Sequence, residues 1–306
     1  MRKTVLSILV LIIFLSACQN AAEDSSDWAI TVSAQEKLLA YPDATQTAAS
    51  MSHMEQELSE PTTDTRLAPE DWQKWPIVPE VTAAAKEIYR KGLAMGNNPK
   101  AFSKVADCQN LSTVFLWKFD HLDIYQFPYQ LDEYLDTIEN FQGYFDRDGF
   151  AAKFGFTAAS PLTQLEADLE YCLPEETPLE CEFRISKPSF VLISLEFPFL
   201  GRSTELYEKY LRKIIEFSVS QGVVPILATK ADNVEGDHSI NVAVAKLAYE
   251  YNLPLWNWWA AAQPLGDHGI DPYRDGFHLS EQAWEEHSKT FLMVLDHLWK
   301  GLKDIA

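Results

Sequence analysis

The chain has 306 residues, of which 45 are acidic and 25 are basic, so its formal net charge is −20. Phosphate backbones and anionic lipid surfaces repel a polyanion of this size, which disfavours nucleic acid as a partner. Apolar residues make up 47% of the chain, which is enough for the core of a globular domain.

The first 17 residues have the layout of a secretory signal peptide. Arg2 and Lys3 precede a continuous apolar run, and small residues follow it. The run is shorter than the roughly 20 apolar residues that cross a bilayer. LSAC, residues 15–18, resembles the lipobox of bacterial lipoproteins, which implies that Cys18 becomes the lipidated first residue. An ordinary signal peptide with a chance cysteine is the alternative. We expect an exported, extracytoplasmic protein of the bacterial cell envelope, anchored to a membrane by lipid.

Residues 18–70 follow as an acidic, flexible tether. They are rich in Ser, Thr, Ala, Asp and Glu and have no sustained apolar period. Removal of residues 1–17, which contain two cations and no acid, takes the formal charge from −20 to −22. Residues 71–306 remain for one globular domain of ordinary size.

Apolar runs alternate with amphipathic stretches along this domain. In chain order the patterns predict a helix over 81–95, strands over 101–108 and 189–197, a helix over 204–222, a strand over 223–230, a helix over 240–252, a strand over 253–259 and a final helix over 280–299. Ser280 is the predicted N-cap of the last helix. Alternating strands and helices imply an α/β fold of three layers, α/β/α, with a mainly parallel sheet. Sites in such sheets collect at the carboxyl ends of the strands.

The positions of the four cysteines suggest different roles for them. Cys18 is assigned to lipid, and Cys172 and Cys181 flank the Pro-rich acidic loop LPEETPLE, which a disulfide would close. Cys108 is left over. An unpaired thiol outside the cytoplasm is either buried and inert or kept for its reactivity, and both interpretations of Cys108 stay open here.

Polar residues that follow the predicted strands are the candidate site. Asp107 and Cys108 end the first strand, and Asp275 and His278 form a D-x-x-H pattern just before the last helix. On a tight turn this spacing lets the carboxylate hold one imidazole nitrogen and leaves the other nitrogen to act as a base. A turn-forming aspartate beside an exposed histidine is the alternative.

Taken together, these blocks resemble the SGNH/GDSL hydrolases. The Gly-Asp-Ser block of that family is matched by Ala106, Asp107 and Cys108, and its terminal Asp-x-x-His block by Asp275 and His278. The resemblance implies a flavodoxin-like SGNH hydrolase fold and ester hydrolysis through a Cys-His-Asp site. It further implies that a backbone NH of Gly155, in GFTAAS, binds the oxyanion.

The departures from the family pattern bear on activity. A cysteine stands where the family has its nucleophilic serine, and Ala106 stands where it has glycine. Glu196 and Pro198 fall where the glycine and the oxyanion-binding asparagine of a third block would be, and proline has neither an NH nor a side-chain donor. Two functions follow: an esterase that uses Cys108, or a catalytically impaired pseudo-hydrolase that binds a glycan or a partner protein on the cell surface.

The substrate expected is a small-molecule or carbohydrate ester. Asp107 and the segment with Lys230, Asp232 and Asn233 are candidate pocket residues, although a solvated loop that caps the next helix is the alternative for 229–238. Any of Trp256, Trp258 and Trp259 that faces the cleft would stack on a sugar ring. No Cys/His cluster with zinc spacing and no Gly-rich phosphate loop occurs, so we expect no metal and no cofactor.

Overall fold

The computed structural model of the chain describes residues 66–196 and 201–305. These residues belong to one compact unit, Arg66–Ala306. The predicted signal peptide, Cys18 and the tether up to residue 65 lie outside the described residues, and so does Pro198. None of the described helices is both long enough and apolar enough to cross a membrane.

Four parallel strands form the sheet that the described residues contain. They are β1 (Asn98–Ala106), β2 (Pro188–Ser194), β3 (Val224–Ala228) and β4 (Leu255–Trp256), and they lie side by side in the order β1-β2-β3-β4. Ala106 pairs with Ser194 and Ala228 with Trp256, so all four strands end at the same edge. β2 and β3 are buried throughout, as expected for parallel strands covered on both faces.

The helices surround this sheet. They are α1 (Ala83–Met95), α2 (Leu135–Asn140), α3 (Pro178–Ser186), α4 (Thr204–Ser220), α5 (Ser239–Glu250), α6 (Trp258–Ala262) and α7 (Glu281–Leu302). Short 3-10 helices cover Pro69–Lys74, Cys108–Asn110, Trp117–Asp120, Asp132–Tyr134, Ser160–Leu162, Gln164–Glu166 and Gly266–Gly269.

Alternate residues of β1 show that helices cover both faces. The Phe102 ring packs against Phe141, just after α2, and against Phe291 of α7. The next side chain, Ser103, points to the opposite face and donates a hydrogen bond to Glu182 of α3. α3 in turn contacts α4 through Phe183 and Phe217, and α4 packs against α5. The predicted three-layer α/β/α class with a parallel sheet is confirmed.

The strand predicted over 253–259 is wrong in its second half. β4 ends at Trp256, and α6 begins at Trp258. Asn257 explains the change, because its side-chain oxygen accepts from the NH of Ala260 at 3.2 Å as an N-cap. Its amide group also donates to the carbonyl oxygens of Trp72 and Trp75, both at 2.9 Å, so this side chain fixes the turn.

Short sequence patterns correctly predicted the start of the last helix and the disulfide that closes the acidic loop. Ser280 is the N-cap of α7, as predicted, and its hydroxyl accepts from the NH of Ala283. Cys172 and Cys181 are joined by a disulfide with an S–S distance of 2.08 Å. α3 begins inside this loop, at Pro178, with a full capping box between Thr177 and Glu180, so Cys181 lies within the helix.

Candidate active site

The candidate nucleophile lies on a one-turn helix at the end of β1. Asp107 is buried and is the N-cap of this turn, with its carboxylate accepting from the NH of Gln109 at 3.0 Å. Cys108 is the first residue of the turn and is partly exposed. Ala106 is the last residue of the extended strand, so its backbone conformation does not need the glycine that the family pattern has at this position.

The candidate base lies on a tight turn before α7. The Asp275 carboxylate accepts from the backbone NH groups of Phe277 at 3.1 Å and His278 at 3.0 Å. Gly276, at φ 76°, supplies the left-handed conformation between them. The other Asp275 oxygen lies 2.7 Å from His278 Nδ1, so the turn fixes the orientation of the imidazole ring.

These two turns meet at the edge of the sheet. Cys108 Sγ lies 3.6 Å from His278 Nε2, within the range of a hydrogen bond to sulfur. The His278 side chain is 7% exposed and the Asp275 side chain 51% exposed. The structure thus brings together three residues that lie up to 170 positions apart in the chain.

Burial and charge set the protonation of this group. Burial lowers the pKa of His278, and the Asp275 carboxylate opposes that shift only in part. For Asp275, burial raises the pKa, but the opposing effects, led by the hydrogen bonds from the NH groups of His278 and Phe277, are larger and leave the pKa lowered. A neutral imidazole beside an ionised aspartate is therefore the resting state at neutral pH, and this is the form that a general base needs.

Gln109 connects the two turns and was missed by sequence reasoning. Its side chain is buried; the amide donates to the carbonyl oxygen of Phe277 at 2.8 Å, and the oxygen accepts from the NH of Leu279 at 3.5 Å. These partners are the neighbours of His278 in the chain. No local pattern signals this role, because a glutamine beside a cysteine says nothing about a partner 168 residues away.

Gly155 is brought to the end of β1 by backbone pairing. The NH of Ala106 donates to Ala151 O at 3.1 Å, and the NH of Lys153 donates to Ala106 O at 3.2 Å. Gly155 follows in a turn closed by a 3.1 Å hydrogen bond from Phe156 to Lys153, at φ 77°. A Cβ at this position would meet nothing within 4 Å, so the glycine serves the turn conformation and not a close contact.

The predicted pocket residues are mostly covered. Lys230 and Asp232 are buried and joined at 2.6 Å, and Glu235 lies 2.5 Å from the same ammonium group. Asn233 is exposed and accepts from the NH of His238 at 2.8 Å, just before α5. Segment 229–238 is thus a loop built on a buried ion pair, and Asn233 is the exposed residue among the predicted pocket residues.

The structure also places the three late tryptophans and His268. Trp256 and Trp258 are completely buried in the core, and neither is open to a sugar ring. Trp259 is half-buried against Trp72. His268, which lies in the same late stretch of sequence as His278, is exposed and contacts the carbonyl oxygen of Gln263.

Among the described residues, one group of side chains has the spacing to hold a metal ion. It consists of Cys172, Glu176 and Cys181, whose ligand atoms lie within 4.8 Å of one another. The two sulfur atoms are bonded to each other, and Glu176 pairs with Arg184 at 2.5 Å. The potential ligand atoms are thus already engaged in a disulfide and an ion pair.

Comparisons with known proteins give matches in structure and none in sequence. No family model matches the chain, and no curated protein sequence does so significantly. Its structural neighbours include lipolytic proteins of the G-D-S-L family. One, from Desulfitobacterium hafniense, is 12% identical with a TM-score of 0.42 and covers 63% of this chain and 98% of its own. The lipase/acylhydrolase from Enterococcus faecalis is 18% identical with a TM-score of 0.42, over 64% of this chain and 94% of its own.

An acetyl xylan esterase, AlAXEase, is 13% identical with a TM-score of 0.41, and covers 66% of this chain and 98% of its own. The G-D-S-L lipolytic proteins carry the name of the family that the sequence blocks resemble. Because the TM-scores lie below 0.5 and the identities below 20%, these likenesses do not bear on the activity of this chain.

Proposed function

We propose that the protein is an ester hydrolase in which Cys108 is the nucleophile, His278 the general base and Asp275 the residue that orients it. One observation supports this proposal above the others: Cys108 Sγ and His278 Nε2 lie 3.6 Å apart, with Asp275 2.7 Å from the other imidazole nitrogen. Nucleophile, base and orienting carboxylate in this order are the arrangement that activates serine and cysteine for acyl transfer.

The reaction proceeds in two steps. His278 Nε2 takes the proton of the Cys108 thiol while the sulfur attacks the acyl carbon of the ester, and the departing alcohol receives that proton from the imidazolium. A water molecule, deprotonated by the same imidazole, then hydrolyses the thioester and releases the acid. The backbone NH groups of Cys108 and Gly155 are the proposed donors to the oxyanion.

The substrate we propose is an acyl or acetyl ester, with a carbohydrate as the alcohol component. The proposed place of action is outside the cytoplasm, with the chain tethered through Cys18, because the amino-terminal sequence has the layout of a lipoprotein signal. An impaired hydrolase that only binds its ligand is the second candidate, and the proline at position 198, in place of a side-chain donor, favours it.

Hydrolysis of nitrophenyl acetate by the purified full-length protein in detergent tests the proposal. We expect turnover that Cys108→Ala abolishes and His278→Ala reduces by about 100-fold or more. The matched control is His268→Ala, because His268 is an exposed histidine of the same late region and contacts Gln263. Equal rates in wild type and Cys108→Ala would refute the assignment of the nucleophile. Absence of turnover in the wild-type protein would favour the binding function.

A further inference from the structure

A buried carboxyl group lies behind the turn that carries Cys108. Glu196 follows β2, is almost completely covered, and accepts a hydrogen bond from the Ser194 hydroxyl at 2.8 Å. The Ser194 hydroxyl in turn accepts from the Asn110 amide at 3.1 Å. Asn110 is the last residue of the one-turn helix that begins at Cys108. A continuous chain of hydrogen bonds therefore joins Glu196 to the nucleophile turn.

Within residues 66–196 and 201–305, no cation is paired with Glu196 alone. Lys230 is the cation that acts on it most, and Asp232 and Glu235 already lie 2.6 and 2.5 Å from its ammonium group. The remaining charged neighbour is Asp107. Burial, and after it the Asp107 carboxylate, raise the pKa of Glu196 well above its ordinary value of 4.5.

His287 of α7 does not supply the missing charge either. Its Nε2 lies 3.8 Å from the Glu196 carboxyl, longer than a direct hydrogen bond, and neither ring nitrogen has a hydrogen-bond partner within the described part of the chain. The ring is completely buried among Phe115, Trp256 and Trp258, with centroid distances of 4.5 to 4.7 Å. Burial lowers the pKa of His287 to about 3, so this imidazole is neutral at physiological pH.

We propose that Glu196 is a neutral carboxylic acid that positions the Cys108 turn through Ser194 and Asn110. The carbonyl oxygen of a neutral acid still accepts the Ser194 hydrogen bond, though more weakly than a carboxylate oxygen, and the neutral acid places no second anion next to Asp107. A charged Glu196 would add negative potential beneath Cys108 and disfavour its thiolate. This proposal rests on the proposed function only in taking Cys108 as the reacting group.

The pH dependence of the free energy of unfolding tests the protonation state of Glu196, and it requires no enzymatic activity. A carboxyl whose pKa is raised in the folded protein stabilises the fold below its unfolded pKa, and that stabilisation is lost as pH rises through the folded pKa. We therefore expect Glu196→Gln to gain free energy of unfolding relative to wild type as pH is raised from about 4.5 to about 8, in urea titrations of the full chain. A difference between the two proteins that is constant with pH would overturn the neutral state.

Alkylation of Cys108 by iodoacetamide across pH tests the positioning role. We expect Glu196→Gln, which keeps a hydrogen-bond acceptor, to react like wild type at each pH. Ser194→Ala, which removes the link and leaves Glu196 in place, and Glu196→Met are expected to change the rate by at least about fivefold, the equivalent of one neutral hydrogen bond. Folding of each variant is checked by circular dichroism, and Ser194→Ala alone decides the outcome if Glu196→Met does not fold.

The matched control is Glu182→Gln. Glu182 is another completely buried carboxyl, but it binds Ser103 and Arg147 on the opposite face of the sheet, away from the Cys108 turn. This variant should leave the alkylation profile of Cys108 unchanged. A Ser194→Ala profile that coincides with wild type would refute the positioning role, whether or not the protein hydrolyses esters.

Discussion

Gln109 donates a 2.8 Å hydrogen bond to the carbonyl oxygen of Phe277 and thereby ties the Cys108 turn to the loop of His278. The two candidate catalytic residues lie on elements that are far apart in the chain. Their separation in space is therefore set by a few contacts between these elements, and Gln109 makes two of them, to Phe277 and to Leu279. Because its side chain is completely buried and bonded to both neighbours of His278, Gln109 is a positioning residue.

Gln109→Leu should lower esterase activity by about 10- to 100-fold, because a displacement of about 1 Å between nucleophile and base is sufficient for such a loss. Leucine fills a similar volume but leaves the Phe277 carbonyl without its donor. The measurement is the rate of nitrophenyl acetate hydrolysis, with the free energy of unfolding as control. A fully active Gln109→Leu protein would show that other contacts hold the loops.

Asp275→Asn should reduce the same rate and shift the titration of His278 towards lower pH. The Asp275 charge raises the pKa of His278 against the larger effect of burial, so its removal lets that pKa fall further. Because Asp275 is half-exposed, we expect a rate loss of only about 10- to 100-fold, at the low end for a catalytic carboxylate.

The titration is measured by NMR of the His278 ring in a Cys108→Ala background, so that the thiol does not titrate with it. Asp275→Asn is compared there with the same protein carrying Asp275. A His278 pKa that rises after the substitution would contradict the assigned role of Asp275.

Much of the fold was predictable from local patterns, and the supporting contacts of the site were not. The buried strands, the long helices and the Ser280 cap follow from apolar periodicity and capping chemistry, which are properties of neighbouring residues. Local patterns failed at Asn257. The apolar run around it predicts a strand, but the strand ends there, because the Asn257 side chain is held by hydrogen bonds to Trp72 and Trp75. Gln109 and Ser194 depend likewise on distant partners, Phe277 and Asn110, which the fold brings close and no short window of sequence contains.

Lys104 and Asp148 form a pair in which the two partners should respond differently to substitution. Lys104 lies inside β1, is 1% exposed, and binds Asp148 at 2.8 Å. Asp148 also accepts from the NH of Ser112 at 2.6 Å. Burial lowers the pKa of Lys104, and Asp148 opposes this shift. The ammonium group therefore depends on this carboxylate for its charge.

Asp148→Ala should destabilise the fold by about 2 kcal/mol or more, because it leaves a buried cation without its partner; the value is discounted for the partial exposure of Asp148. Lys104→Met, which replaces the cation by an apolar side chain of similar length, should cost less or be neutral. Urea unfolding of both variants and of the double variant at neutral pH measures the difference. A larger loss for Lys104→Met than for Asp148→Ala would contradict the expected order.

His287 should make the fold sensitive to acid. Burial lowers its pKa from 6.5 to about 3, so the unfolded chain binds a proton that the folded protein excludes. The stabilising effect of a neutral buried imidazole is present above the unfolded pKa and is lost as pH falls from 6.5 towards 3. At about pH 5 the loss amounts to about 2 kcal/mol.

His287→Phe removes the titrating group and suits the aromatic surroundings of Phe115, Trp256 and Trp258. We expect it to abolish most of the difference in unfolding free energy between about pH 7.5 and about pH 5 that wild type shows. The control is His297→Gln, at an exposed position of the same helix, which should leave that difference in place. If His287→Phe lost stability between the two pH values as steeply as wild type, the acid sensitivity would have to come from other groups.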